Sequence, residues 1–297
     1  MLEKFENIKF QGKTLDVIEA AAVICKEYTD KEYDLSLRQL YYQFVARGLL
    51  PNSDANYKRL GDTIKNARLA GLIDWDIIKD RGRETLRNSH WRGPADIMRS
   101  AAHSFRMDTW RAQPNHVQVM VEKQALEGVL EPVCRELDIP FTANKGYSSV
   151  SALYETGKEL RRAIECGKDV HVLYLGDHDP SGIDMTRDVQ KRLSQFAGGC
   201  VHVIRVALNE DQIARYNPPP NPTKMKDTRA ATYIRRFGEL SWELDALAPD
   251  VLADLVRQNV LPYRDDDLHR QAIAEQDTHR ARLAAIADDI ERQEKQP

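Results

Sequence analysis

The chain has 297 residues, of which 42% are hydrophobic and 30% charged, a composition typical of a folded globular protein long enough for two domains. Its formal net charge of -3 excludes a protein coated throughout in basic residues, but it allows a local basic face. Four scattered cysteines, without a Cys-x-x-Cys pair or a histidine at zinc spacing, exclude a disulfide or zinc framework. Because we find no signal peptide or long apolar span, we expect a soluble cytoplasmic protein without a membrane partner.

The N-terminal third carries the apolar spacing of short α-helices. Residues 14–28 repeat apolar side chains at helical intervals. Ser36 is a candidate cap for a second helix that stops before Pro51, and Ser53 or Asp54 opens a third one. The sequence therefore predicts three short helices in this region.

A two-stranded wing is predicted after the third helix, with its turn at Arg81-Gly82. Three helices and a wing are typical of a winged-helix (CAP-like) module, and we assign residues 1–110 to such a domain. Between residues 58 and 106, eleven Lys and Arg outnumber six Asp and Glu, an excess of +5. Basic residues on a third helix and wing suit contact with DNA phosphates, and the alternative is a helical domain with a solvated charged face. The candidate DNA-binding residues of the third helix are Lys58, Arg59, Lys65 and Arg68.

From about residue 115 the pattern changes to strands that alternate with helices. Four β-rich runs occupy residues 116–121, 139–144, 169–175 and 200–208. This alternation predicts an α/β domain over residues 115–264, with a mostly parallel sheet flanked by helices and sites beyond the carboxyl ends of the strands. The charged segment 265–297 predicts a terminal helix, which either helps the chain to dimerise or is simply solvated.

Two of the predicted strands end in carboxylates. Glu122 follows the first strand, and Asp177 and Asp179 follow the third. Two acids one residue apart repel each other, and their burial costs free energy unless a cation is present. Oxygen ligands alone suit Mg²⁺, with Mn²⁺ as a substitute. The alternative is a solvated loop whose aspartates cap a helix that starts near Gly182, but the third acid and the Pro-Ser-Gly turn favour a metal site.

Glu122 after a first strand and Asp-His-Asp-Pro-Ser-Gly after a later one resemble the Toprim domain of topoisomerases, bacterial primases, nucleases and recombination proteins. In that domain one glutamate and an Asp-x-Asp pair hold Mg²⁺ for phosphodiester chemistry, and the matching positions are Glu122, Asp177 and Asp179. Two further segments resemble the A subunit of DNA topoisomerase VI and the related meiotic double-strand-break protein. They are Lys-Gly-Tyr at residues 145–147 and Arg-x-x-Tyr-Tyr at residues 38–42.

The resemblance spans about residues 15–260 and implies roles for individual residues. Tyr42 would be the nucleophile that forms a 5′-phosphotyrosyl link, and Tyr41 its less critical neighbour, whereas the alternative is that both tyrosines pack in a helical core. Arg38 lies on the same helical face as Tyr42 and could steady the phenolate or the scissile phosphate, or could form an ordinary surface ion pair. Lys145 would be a second phosphate contact, or else an exposed loop lysine.

The family acts on double-stranded DNA as a homodimer in which the tyrosine of one protomer meets the metal of the other. The resemblance therefore implies a type IIB topoisomerase A-subunit-like enzyme in a short phage or bacterial form, located in the host cytoplasm if phage-encoded. Strand passage driven by ATP would need a separate ATPase subunit. Two alternatives stay open: a Toprim nuclease that cuts DNA with a metal-activated water, and a winged-helix DNA-binding protein whose Toprim domain is not catalytic.

Overall fold

The computed structural model describes residues 2–31, 33, 35–78, 88–144, 150–225 and 227–294. The turn of the predicted wing at Arg81-Gly82 and the predicted phosphate contact Lys145 lie outside these ranges. Within the described ranges, no helix has both the length and the apolar character needed to cross a membrane.

The described residues of the N-terminal region form four α-helices. They are α1 (Gly12–Asp30), α2 (Leu37–Ala46), α3 (Asp54–Leu69) and α4 (Pro94–Ser104). The first three lie where the sequence predicts them. The Ser36 hydroxyl accepts a hydrogen bond from the Gln39 backbone amide, and the Gln39 side chain accepts one from the Ser36 amide, which makes a capping box at the start of α2. The residue that caps α3 is Ser53.

The second half of the chain is built on a four-stranded sheet in the order β2-β1-β3-β4, with every pair parallel. Its strands are β1 (Asn115–Val121), β2 (Phe141–Ala143), β3 (Asp169–Leu175) and β4 (His202–Ala207). The helices of this half are α5 (Glu127–Glu136), α6 (Val150–Glu165), α7 (Pro180–Ala197), α8 (Glu210–Tyr216), α9 (Ala230–Phe237) and α10 (Pro249–Val260). The predicted α/β architecture with a parallel sheet flanked by helices is confirmed.

Both faces of the sheet are buried. Val119 and Leu173 point to one face, where they join the apolar core that includes side chains of α5 and α10. Met120 and Val172 point to the other face and pack in the core formed with α6 and α7. Because successive strand residues alternate between two cores, the strands have almost continuous apolar sequences.

The strand order changes direction between β1 and β3. The chain passes from β1 to β2 on one side and then crosses to β3 on the other side. In open parallel sheets this switch point leaves a crevice outside the carboxyl ends of the two central strands. Glu122 directly follows β1 and Asp177 closely follows β3, so the topology brings both to that crevice.

A segment after β4 returns to the same crevice. Two short antiparallel strands, β5 (Asn221–Pro222) and β6 (Leu240–Ser241), pair with each other. The first of them lies in a proline-rich segment, residues 217–222. The Trp242 backbone amide then donates to the His178 carbonyl at 2.9 Å, and the His178 amide donates back at 2.8 Å. These bonds fix the chain that follows β6 beside the loop that follows β3.

The terminal segment forms one long helix, α11 (Asp266–Glu294), which packs against α4. Arg99 of α4 forms an ion pair with Asp288 at 3.2 Å, and the Gln276 side chain accepts a hydrogen bond from the Met107 amide at 2.9 Å. The predicted helix is confirmed, and it is anchored to the last N-terminal helix and the linker after it.

Candidate active site

Glu122 and Asp177 meet at the carboxyl ends of β1 and β3. The Glu122 carboxylate accepts a hydrogen bond from the Asp177 backbone amide at 3.0 Å, and the two residues are only 6% and 7% exposed. Burial raises the pKa of Glu122 to about 7, and the neighbouring Asp177 charge adds to the rise. Burial also raises the pKa of Asp177, although the Lys123 ammonium opposes this. The crevice therefore holds two buried acids whose ionised forms need a cation.

Asp179 has a different local role. Its side chain accepts a hydrogen bond from the Gly182 amide at 2.7 Å and caps the N-terminus of α7. Helix capping was one of the two roles considered for this Asp-x-Asp pair, and the structure assigns it to Asp179 alone. Asp179 also lines a cavity beside the crevice.

A cation already lies among the acids of the crevice. The Lys123 ammonium is 3.0 Å from Asp177, 3.0 Å from Glu243 and 2.9 Å from Asp245. The side chain of Asp245 is fully buried, and the Leu244 backbone amide donates to Asp177 at 2.7 Å. Burial alone would lower the pKa of Lys123, but the three carboxylates raise it well above its ordinary value. Lys123 is therefore a charged ammonium that neutralises part of this acidic cluster.

Sequence reasoning missed Lys123, Glu243 and Asp245. A signal was present, because Glu243 and Asp245 repeat the one-residue spacing of the Asp177 and Asp179 pair. The apolar residues of segment 242–256 favour the interpretation of a packed helix, which does not indicate a site. The pairing of Trp242 with His178, which carries both acids to the crevice, depends on residues far apart in the sequence.

The two adjacent tyrosines of α2 have different surroundings, although each is only 4% exposed. The Tyr41 hydroxyl accepts from the Ser53 amide at 2.6 Å and donates to the Ser53 carbonyl at 3.0 Å, so it ties α2 to the start of α3. The Tyr42 hydroxyl lies within hydrogen-bonding reach of Glu243 and Asn221. Burial, followed by the charges of Asp245 and Glu243, raises the pKa of Tyr42. Tyr42 is the tyrosine that adjoins the acidic cluster.

Arg38 connects α2 to the same cluster. Its guanidinium forms an ion pair with Glu243 at 2.9 Å, lies 4.0 Å from Asp245 and stands over the Tyr57 ring at 5.5 Å. Both roles that the sequence suggested for Arg38 involve a charge contact. In the structure its partner is Glu243, which also adjoins Tyr42. Among the described residues, the Oδ2 atom of Asp245 is buried and receives no hydrogen bond.

Two cavities flank Arg38. One, of about 420 Å³, has Arg38, Asn52, Asp179, Asn221, Lys224 and Glu243 in its lining. The other, of about 760 Å³, has Arg38, Tyr57, Lys65, Arg68, Lys123 and Asp245 in its lining. Both cavities contain residues of the helical half and of the α/β half, so the candidate site lies where the two halves meet.

Three of the four candidate DNA-binding residues on α3 are exposed, namely Lys58, Arg59 and Lys65. Arg68 differs, because its guanidinium stacks on the Trp75 ring at 4.5 Å and donates to the Ile78 carbonyl at 3.0 Å. These contacts stabilise the end of the helical region. Arg68 is therefore less available to a phosphate than its three neighbours.

The strand-end acids supply oxygen ligands only, which is the chemistry that Mg²⁺ and Mn²⁺ prefer. In the described part of the chain, no three His, Cys, Asp or Glu side chains converge closely enough to hold a metal ion as they stand. Asp179 is engaged in capping α7, and Asp177 is paired with Lys123. The donor chemistry fits a hard divalent cation, and its binding requires rearrangement of these two contacts.

We searched for related proteins by sequence. The chain matches no protein-family model and has no significant match among curated proteins. The residues and the geometry of the crevice are therefore the basis for inferring its function.

Gly182 allows the first turn of α7 to approach the strand ends. A Cβ at this position would lie 2.2 Å from the Asp177 carbonyl oxygen and 3.1 Å from a carboxylate oxygen of Glu122. We expect Gly182→Ala to lower the free energy of unfolding by about 1–3 kcal/mol through overpacking, measured by urea denaturation. Gly12→Ala is the matched control, because a Cβ there would meet nothing within 4 Å. Equal losses in the two variants, or none in Gly182→Ala, would contradict this account.

The raised pKa of Glu122 predicts pH-dependent metal binding. A carboxylate with a pKa of about 7 is increasingly protonated below that pH, and only its ionised form binds a cation well. We therefore expect Mn²⁺ affinity, followed by electron paramagnetic resonance, to rise from about pH 6 to about pH 8 by at least about threefold. Asp177→Asn is expected to weaken binding at both values. An affinity that is flat across this interval would contradict a Glu122 ligand that titrates near pH 7.

Proposed function

We propose that the protein cleaves double-stranded DNA as a topoisomerase VI A-subunit-like enzyme, with Tyr42 as the nucleophile. One observation carries the proposal: Tyr42 and the strand-end acids belong to a single polar network. The Tyr42 hydroxyl lies within reach of Glu243, and Glu243 shares the Lys123 ammonium with Asp177. A tyrosine that attacks a phosphate beside metal-binding carboxylates needs such proximity. Here both groups belong to one chain, whereas in the family that the chain resembles the tyrosine of one protomer meets the metal of the other.

The architecture also supports this class of enzyme. Helices α1–α3 match the helical part of a winged-helix (CAP-like) domain, and the parallel sheet with acids at its switch point matches the layout of a Toprim domain. The exposed residues Lys58, Arg59 and Lys65 on α3 suit contact with duplex phosphates, which position DNA without reading its sequence. Lys145 would be a further phosphate contact, as the resemblance implies.

The proposed reaction joins Tyr42 to the 5′ phosphate and releases a 3′-hydroxyl. Mg²⁺ or Mn²⁺ held by Glu122, Asp177 and Asp179 would supply charge stabilisation at the phosphate and the leaving oxygen. Arg38, which is permanently protonated, pairs with the same Glu243 that the Tyr42 hydroxyl adjoins and would offset the negative charge that develops there. A homodimer would present one Tyr42 to each strand and so make a double-strand break, with ATP-driven strand passage left to a separate ATPase subunit.

The burial of Tyr42 favours a second candidate function. A phenol that is 4% exposed and has a raised pKa is a poor nucleophile until the crevice opens. In a Toprim nuclease a water molecule would attack instead, with the same acids holding the metal, and Tyr42 would only contribute to packing.

Plasmid cleavage separates these functions. Supercoiled DNA is incubated with wild type, Tyr42→Phe or Asp177→Ala in the presence of Mg²⁺ or Mn²⁺. The reaction is quenched with detergent, and the DNA is separated on a gel with and without protease treatment. The proposal predicts protein-linked broken DNA from wild type alone. Cleavage that survives Tyr42→Phe but not Asp177→Ala would identify a hydrolytic nuclease, and salt-sensitive binding without cleavage would identify a DNA-binding module.

A further inference from the structure

The Tyr42 hydroxyl lies between a hydrogen-bond donor and an acceptor. The Asn221 carbonyl oxygen accepts from the Asn52 side chain at 2.9 Å, which leaves the Asn221 amide nitrogen to donate to the phenolic oxygen. On the other side, the Glu243 carboxylate can accept the hydroxyl proton. The phenolic oxygen and its proton thus have separate partners.

Glu243 is held in place by charge and by the backbone. One of its oxygens receives the Arg38 guanidinium at 2.9 Å and the Lys123 ammonium at 3.0 Å. The preceding residue, Trp242, is hydrogen-bonded through its backbone to His178 at the end of β3. Two cations keep Glu243 ionised, and the strand-end loop determines its position relative to Tyr42.

We propose that Glu243 is the catalytic base that accepts the proton of Tyr42, and that Asn221 is a positioning residue for the phenolic oxygen. The inference rests on the proposed function and adds a residue to it. As the bond from the tyrosine oxygen to phosphorus forms, the bond from phosphorus to the 3′ oxygen breaks and its electron pair leaves with that oxygen. The tyrosine proton passes to Glu243, solvent supplies a proton to the 3′ oxygen, and Glu243 later returns its proton to solvent.

The other charged groups near Tyr42 are less suitable as proton acceptors. Arg38 and Lys123 are cations and donate only. The side chain of Asp245 is fully buried, and its Oδ2 atom receives no hydrogen bond from Tyr42 or from any other described residue. Glu122 accepts from the Asp177 amide at the strand ends. Glu243 is the carboxylate within reach of the hydroxyl in the part of the chain that the structure describes.

Glu243→Gln tests the assignment, because it keeps the shape and an acceptor oxygen but removes the base. We expect the single-turnover rate of covalent product formation to fall by about 10²- to 10⁴-fold, the usual range for loss of a general base. Glu243→Asp keeps the charge that Arg38 and Lys123 require but withdraws the carboxylate from Tyr42, and we expect an intermediate loss. The matched control is Glu239→Gln, an exposed glutamate in the turn before β6, with an unchanged rate expected.

A spectroscopic readout tests the contact without catalysis. In protein labelled with 3-fluorotyrosine, whose phenol is more acidic, the resonance of position 42 is assigned by its absence in Tyr42→Phe. In the wild type, the negative charges of Glu243 and Asp245 disfavour the phenolate, whereas the positive charges of Lys123 and Arg38 favour it. Glu243→Gln removes one of the two negative charges, so we expect the pKa of this phenol to fall. Glu239→Gln is expected to leave it unchanged.

The outcomes separate this inference from the function on which it rests. Covalent product that depends on Tyr42 but forms at the wild-type rate in both Glu243 variants would overturn the role of Glu243 and leave the proposed function intact. An unchanged fluorotyrosine titration in Glu243→Gln would overturn the contact itself. Cleavage that persists in Tyr42→Phe would overturn both the proposed transesterase function and the role of Glu243 as the base.

Discussion

Replacement of Tyr42 by phenylalanine is expected to abolish the covalent protein–DNA product, with a loss of about 10⁴-fold or more. The substitution removes the attacking oxygen and keeps the ring that packs in the helical core. Tyr42 is 4% exposed and its hydroxyl adjoins Glu243 and Asn221 rather than the backbone. Because only one hydroxyl is lost, we expect the free energy of unfolding to change by about 1 kcal/mol or less. The measurement is the fraction of end-labelled duplex that migrates with protein on a denaturing gel.

Tyr41→Phe is the matched control on the same helix. The Tyr41 hydroxyl bonds to the amide and carbonyl of Ser53, so its loss leaves these backbone groups without that partner. We expect a decrease of about 0.5–1.5 kcal/mol in the free energy of unfolding, with covalent product retained. The reverse pattern, in which Tyr41→Phe loses the product and Tyr42→Phe keeps it, would show that the nucleophile is Tyr41.

Replacement of Lys123 by methionine is expected to lower the free energy of unfolding by about 3–5 kcal/mol at neutral pH. Asp177, Glu243 and Asp245 lie within 3.0 Å of its ammonium, and their carboxylates would remain buried without a cation. Without Lys123 the pKa values of these acids rise in the folded state, so the loss should shrink as the pH falls and the acids become protonated. Urea unfolding at several pH values measures both effects.

Lys158→Met is a control for the loss of a lysine charge, and added Mn²⁺ is a control for the loss of a buried cation. Lys158→Met removes a lysine whose side chain is 41% exposed and pairs with Glu155 on α6, and we expect a change of about 0.5 kcal/mol or less. Mn²⁺ is expected to restore part of the stability of Lys123→Met, because a divalent cation can offset the same buried charges. Similar losses in the two lysine variants would show that Lys123 is not a buried counter-ion.

Much of the fold was predictable because its signals are local. The four strands carry continuous apolar runs bounded by polar turns, and β3 begins and ends where the sequence predicts. The side chains of Ser36 and Ser53 cap the first turns of α2 and α3, so the sequence marks where these helices begin. The meeting of Glu122 with Asp177 also followed from sequence, because parallel strands that flank a switch point end on the same side.

The rest of the site depends on contacts that the local sequence does not encode. Glu243 reaches the crevice only because Trp242 pairs with His178, more than sixty residues earlier in the chain. Lys123 directly follows Glu122 in the sequence, but a single lysine in a loop does not indicate that three carboxylates surround its ammonium. The packing of α11 on α4 likewise joins the last helix to the N-terminal region. Such long-range pairings are set by the whole fold rather than by periodicity.

Mass spectrometry of the trapped protein–DNA product identifies the residue that attacks the DNA. After cleavage in Mg²⁺, detergent quench and nuclease trimming, trypsin should release the peptide from Gln39 to Arg47, which contains both tyrosines of α2. The account predicts a nucleotide attached through its 5′ phosphate to Tyr42 within this peptide, and DNA fragments with free 3′-hydroxyl ends. Cleaved DNA with free 5′ phosphates and an unmodified peptide would contradict it.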